Sequence, residues 1–118
     1  LVQQPTGENG IVIGFNEVEI NILLTTNDKI NVPLDTQLTK VTSDNLARDS
    51  NNRRLFVGDV VRINAGELSG SRATIIASIK KDLFVRAITD SGESNKAFVK
   101  SSDTTQIMDD EGPVLIPQ

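Results

Sequence analysis

The stretch Gly58–Ile76, GDVVRINAGELSGSRATII, reads as strand, glycine-bounded loop, strand. Val60, Val61 and Ile63 make a short apolar strand, and Thr74 to Ile79 a second, β-branched one. Between them Gly66 and Gly70 bracket Glu67-Leu68-Ser69. Glycine belongs where a chain takes positive φ or turns tightly without a Cβ clash, so Gly58, Gly66 and Gly70 are read as structural turns. Asp59, at the strand start, is suited to a hydrogen bond with nearby backbone rather than to catalysis.

Outward from this stretch the same grammar continues. Leu55–Ile63, Thr74–Ile79, Leu83–Ile88 and Lys96–Lys100 are four strand candidates, with a turn over Thr89-Asp90-Ser91-Gly92-Glu93. Upstream, Ile11–Ile13 is followed by a turn near Asn16-Glu17, and Asn9-Gly10 reads as a hairpin turn. Val18, Ile20, Ile22 and Leu24 then alternate with other residues, a period-two strand with one face buried. Thr25-Thr26-Asn27-Asp28 reads as a hairpin turn before Lys29–Leu34, where Pro33 implies an edge or a strand end. Residues 42–54, TSDNLARDSNNRR, are polar and rich in Asn, Asp and Ser; they read as a linker, with one helical turn at Ser43–Ala47 capped by Ser43.

The halves repeat one another. Gly7-Glu8-Asn9-Gly10-Ile11-Val12 has the shape of Gly70-Ser71-Arg72-Ala73-Thr74-Ile75, and each is followed by an alternating strand, a polar turn and another strand. The closings are matched as Asp35-Thr36-Gln37-Leu38 against Asp103-Thr104-Thr105-Gln106-Ile107. The first half shows no counterpart of Gly58–Ile63, and LVQQPTGENG has neither an initiator Met nor the regions of a signal peptide, so the sequence is read as part of a longer protein. The expected organisation is a first module at 1–41, incomplete at its start, a linker at 42–54, a second module at 55–108 and an acidic tail at 109–118.

Composition narrows the function. The chain has 118 residues, 37% hydrophobic, with four Phe and no Trp or Tyr, so its core must rest on Val, Ile and Leu. It has no Cys and no His, which removes disulfides, thiolate metal sites and His-based acid–base chemistry. No apolar run is long enough for a membrane helix. Net charge is −4 but uneven: residues 1–50 carry seven acids and three bases, residues 51–108 six acids and nine bases, and the last ten add three acids. Asp109-Asp110-Glu111 reads as a solvated tail, since a metal cage needs ligands spaced around a loop.

The segment Phe56-Val57-Gly58-Asp59-Val60-Val61-Arg62-Ile63, with Gly66, Gly70 and Ile75, resembles the KOW motif, and Ala73 stands where that family usually has Gly. The resemblance covers Phe56 to Ile107. Two weakly charged modules in tandem, with the closing Ser102-Asp103-Thr104-Thr105-Gln106-Ile107, are most similar to the tandem KOW modules of eukaryotic transcription elongation factors in the NusG family. Leu is missing after Asp103, so the outline is met in part. Another small barrel, SH3-like or Tudor-like, is the plain structural alternative. The resemblance implies an all-β chain of two small, partly open SH3-like/KOW barrels. It also implies a nuclear, non-catalytic scaffold that docks on RNA polymerase or other transcription proteins, with no cofactor, metal, membrane or small-molecule substrate.

The other function class is a nucleic-acid module that contacts RNA or DNA backbone through the basic second half. For either, the candidate contacts are Arg53, Arg54, Arg62, Arg72, Lys80, Lys81, Arg86, Lys96 and Lys100. Alternation places Phe98 on one face with Lys96 and Lys100, and Phe84 with Arg86, where an exposed ring could stack on a base. The plainer reading puts both rings in the core and the cations on solvated faces.

Overall fold

The computed structural model describes residues 1–88 and 92–107, and builds them into two five-stranded antiparallel sheets. The first holds β1 (Val2–Gln3), β2 (Asn9–Phe15), β3 (Glu19–Leu24), β4 (Lys29–Pro33) and β5 (Thr39–Lys40), in the order β4-β3-β2-β1-β5. The second holds β6 (Val60–Ile63), β7 (Arg72–Ile79), β8 (Asp82–Ile88), β9 (Ser94–Lys100) and β10 (Thr104–Gln106), in the order β10-β6-β7-β8-β9. The chain is all-β, and the two barrel-like sheets do not close. In each, four strands run as a meander and the fifth returns beside the first. Pro33, which cannot donate to a ladder, lies in the edge strand β4.

This shared topology makes the repeat concrete. Gly7 and Gly70, at φ +98° and +89°, precede the equivalent strands β2 and β7. Both strands carry a bulge at the same place, between Val12 and Gly14 and between Ile75 and Ala77. The turn expected at Asn9-Gly10 is instead at Gly7, whose N–H bonds Gln4 O at 2.8 Å, and Asn9 and Gly10 open β2. The counterpart of Gly58–Ile63 that the sequence conceals is β1, only two residues long. The closings match differently from expectation. The Val41 N–H bonds Leu1 O and the Ile107 N–H bonds Val60 O, both at 2.9 Å, so Val41 and not Leu38 corresponds to Ile107.

Residues 42–54 are largely exposed but are not a free linker, and Ser43–Ala47 forms no helical turn. The Ser43 hydroxyl accepts the Ser78 N–H, and the Asp44 N–H donates to Ser78 O. Ala47 and Leu55 are completely buried among Val61, Ile63, Ala73, Ile75, Leu83, Val85 and Ala87. Asp49 ties the segment down: Oδ1 accepts from the N–H groups of Asn51 and Arg53, and Oδ2 from that of Gln106 in β10. Burial pushes the Asp49 carboxyl up, but the three N–H donors, with the Arg53 charge, outweigh it and hold the group below its ordinary value. Polar residues serve here as fasteners, so composition alone misreads them.

The expected strand Leu55–Ile63 is shortened to β6 because Gly58 takes φ +99°, outside the strand conformation. Asp59 does accept a backbone hydrogen bond, from the Phe56 N–H at 2.8 Å.

The two sheets meet through a second cluster, Leu23 with Ala77, Phe84 and Phe98, flanked by Leu1 and Ile11. At its margin Asn27, at φ +72° in the β3–β4 turn, uses its side-chain amide as a strand would. Its Nδ2 donates to Phe98 O at 2.8 Å and its Oδ1 accepts the Phe98 N–H at 2.7 Å. Edge strand β9 is thereby paired at one point with the first half.

Candidate binding face

Side chains of a strand alternate between faces, and residues paired in register share one. In the second sheet Arg62 pairs with Arg72, Arg72 with Ile88 and Ile88 with Ser94. Two residues along, Val60 pairs with Thr74, Thr74 with Arg86 and Arg86 with Lys96. Four of the nine candidate cations, Arg62, Arg72, Arg86 and Lys96, therefore lie together on one part of an outer face, and all four are exposed. Arg62–Arg72 and Arg86–Lys96 are each like charges directly opposite in register, and for Arg86–Lys96 that arrangement costs stability rather than adding it.

The same face continues to the pair Phe84–Phe98, in register one step further on. The alternation expected from sequence is correct, but the rings are buried, 5.2 Å apart between centroids and tilted by 53°. Leu23 of the first half packs on them. Base stacking on Phe84 or Phe98 is excluded by that cover. The outer face is thus divided: one part is closed by the first half of the chain, and the remainder is open and basic.

The other five cations are exposed; Lys100 shares this face but lies beyond the covered Phe84–Phe98 pair, and the remaining four lie elsewhere. Lys80 and Lys81 form the β7–β8 turn, where the Lys80 N–H donates to the Asp44 carboxylate. Lys100 pairs with Asp82 directly across β8. Arg53 and Arg54 belong to the segment ahead of β6: the Arg53 N–H is held by Asp49, and Arg54 bridges Arg48. The nine candidates therefore do not form one surface. Gly58, Gly66 and Gly70 are turns as expected, at φ +99°, +83° and +89°. A Cβ at each would meet nothing within 4 Å, so backbone conformation and not crowding calls for glycine.

Beside Lys96 and Phe98 a cleft runs between the β3–β4 turn and the loop Ala65–Leu68, and its walls mix Lys29 and Lys100 with Glu67 and Asp103. Among the described residues no three acids, His or Cys gather in a way that could hold a metal ion, and no helix is long and apolar enough to cross a membrane. The tail Asp109-Asp110-Glu111 and most of the turn 89–93 lie outside the described residues. Sequence reasoning missed Asn27 as the clamp between the halves; its one local signal was Asn at a turn position that favours positive φ. No family model and no curated protein sequence matches this chain.

Proposed function

We propose that this chain is a non-catalytic docking module of a nuclear transcription elongation factor, and that the open basic face of its second sheet meets an acidic surface of RNA polymerase. The observation that carries this reading is the array of Arg62, Arg72, Arg86 and Lys96 in two cross-strand pairs. Like charges kept face to face on an exposed sheet surface, as at Arg86 and Lys96, are better explained by an anionic partner than by folding. The KOW-like run Gly58–Ile76 supports the choice of partner. On this reading the chain takes no cofactor, metal or small-molecule substrate.

A second reading, contact with RNA or DNA backbone, is favoured by the same array, because a flat cationic face also suits phosphates. With Phe84 and Phe98 buried, such contact would be electrostatic and insensitive to sequence. Arg62→Glu, Arg86→Glu and Lys96→Glu together should abolish polymerase binding in a pull-down with purified polymerase. The wild type should bind RNA and DNA weakly or not at all at physiological salt. Tight RNA binding would promote the second reading, with a log–log salt slope that loses about 0.7–0.9 per cation removed. Polymerase binding unchanged in the triple variant would sink the docking role of this face.

A further inference from the structure

Ahead of β6 the chain doubles back on itself. The Asp49 N–H donates to Arg53 O at 2.9 Å and the Leu55 N–H to Ala47 O at 3.0 Å, which sets Arg48 directly opposite Arg54 in a short antiparallel hairpin. The Asp49 carboxylate and Asn52, at φ +64°, shape its turn. Side chains alternate along each arm. Ala47 and Leu55 point inward and are completely buried. Leu46, Arg48, Arg54 and Phe56 fall on the other side, and all four are exposed, Leu46 at 68% and Phe56 at 43%. The hairpin that covers the second interior therefore has an outer face of its own.

That face is not plainly solvated. The bonds of the hairpin run from the residues flanking Arg48 and Arg54, so these two form the kind of pair in which opposed side chains come closest. Like charges in that position cost stability. The Arg48 guanidinium donates to Asn52 O at 3.1 Å, and among the described residues no acid pairs with it or with Arg54. Two residues along the arms, about 7 Å away, stand Leu46 and Phe56. Close by, the Gly58 N–H on Ile75 O sets Val57, 49% exposed, beside Ile76, 38% exposed, at the β7 bulge. Cations next to large apolar side chains make up the centre of a protein interface, where Phe and Arg are enriched. Leu46 offers no ring on which a base could stack, so a nucleic acid fits this face less well than a protein does.

We infer that the outer face of this hairpin is a docking site for an extended segment of a partner protein, in which an acidic side chain stands two residues from a large apolar one. The acid lies between Arg48 and Arg54 and relieves their repulsion, and the apolar residue lies on Leu46 and Phe56. Residues two apart in an extended segment share a side and are about 7 Å apart, which is the spacing of the two pairs. The hairpin covers the inner side of the second sheet, through Ala47 and Leu55, whereas Arg86 and Lys96 stand on the outer side. The site is thus separate from the basic array and does not depend on the function assigned to it.

The test begins with a display library of random dodecapeptides panned on the full chain. The most enriched peptide is then titrated into isotope-labelled protein and followed by NMR. Enriched peptides should carry Asp or Glu two positions from Leu, Ile or Phe, and saturable shifts should fall at Leu46, Arg48, Arg54 and Phe56. Arg48→Glu with Arg54→Glu should weaken binding about tenfold or more. If that pair fails to fold, Arg54→Glu alone, at an exposed side chain, should still weaken it. Arg86→Glu with Lys96→Glu should leave binding unchanged. The inference is overturned by no enrichment over an unrelated protein, by shifts centred on Arg86 and Lys96, or by a uridine oligonucleotide that shifts Phe56 where no peptide does. It is equally overturned if a concentration-dependent dimer covers these residues. The same holds if Asp109→Asn, Asp110→Asn and Glu111→Gln together move their resonances, which would seat the chain's own acidic segment there.

Discussion

The first and second halves share one strand order and differ in what fills it. The second has a full interior, in which Ala47 and Leu55 join seven residues of β6, β7 and β8. In the first, Ile22 and Leu24 are buried, while Ile20, Ile30 and Val32 are only half-buried. Leu23 faces the other way, onto Phe84 and Phe98. A sheet of short strands buries too little to stand alone, and the two halves solve this differently. The second recruits the polar-looking segment ahead of β6 as a cover. The first leans on the second and leaves its hairpin tip open.

The comparison breaks most readily at the cover. Leu55→Ala should cost about 3–4 kcal/mol in a urea titration, whereas Ile30→Ala in the first half should cost about 1 kcal/mol. Equal costs would mean that the first interior is as complete as the second. Next is Asp49, where Asp49→Ala leaves three part-buried N–H donors without their acceptor and should cost about 2 kcal/mol. It should also open Arg48, Arg53 and Arg54 to trypsin, sites that stay protected in the wild type. Because its folded-state pKa is lowered, Asp49 stabilises the fold fully above the ordinary carboxylate range. That contribution is lost as pH falls through this range toward the folded pKa. Wild type should therefore lose stability faster than Asp49→Asn between pH 5 and pH 2, about the span over which such a group titrates; parallel curves would refute the tie.

The equivalent positions Gly10 and Ala73 sharpen the contrast. A Cβ on Gly10 would sit 2.6 Å from Leu23 O and 2.8 Å from Ile22 Cγ2, so Gly10→Ala should cost about 1–3 kcal/mol. Ala73→Gly, which removes a buried methyl, should cost only about 1 kcal/mol. A neutral Gly10→Ala would show that β2 and β3 have room to separate. The smallest effect is expected at the joint: Asn27→Gly keeps the positive φ but deletes the amide, and should cost about 1 kcal/mol. Its signature is faster hydrogen exchange at Phe98 with the β6–β7 pairing unchanged. Unaltered exchange there would mean that the Leu23 cluster alone holds the halves together.

Local pattern was enough for much of this. Period-two alternation marked β3 and β4, Thr25–Asp28 marked their turn, and the glycines at 58, 66 and 70 marked positive φ. Gly7 and Gly70 set the halves in step, and Asp59 was placed by its position at a strand start. These depend on backbone sterics and contacts between near neighbours, which residue type records directly. Alternation also put Phe84 with Arg86 and Phe98 with Lys96 on one face. It could not say that Leu23, far away in sequence, would cover the rings and leave Arg86 and Lys96 exposed. Nor could it distinguish a linker from a cover in residues 42–54, because Asp49 and Ser43 act through hydrogen bonds to Gln106 and Ser78. The match between Val41 and Ile107 rests on bonds to Leu1 and Val60 at the far end of each half. A strand's two faces are a property of its own residues, but which face is buried is decided by whatever packs on it, and for Phe84 and Phe98 that partner, Leu23, is distant in sequence.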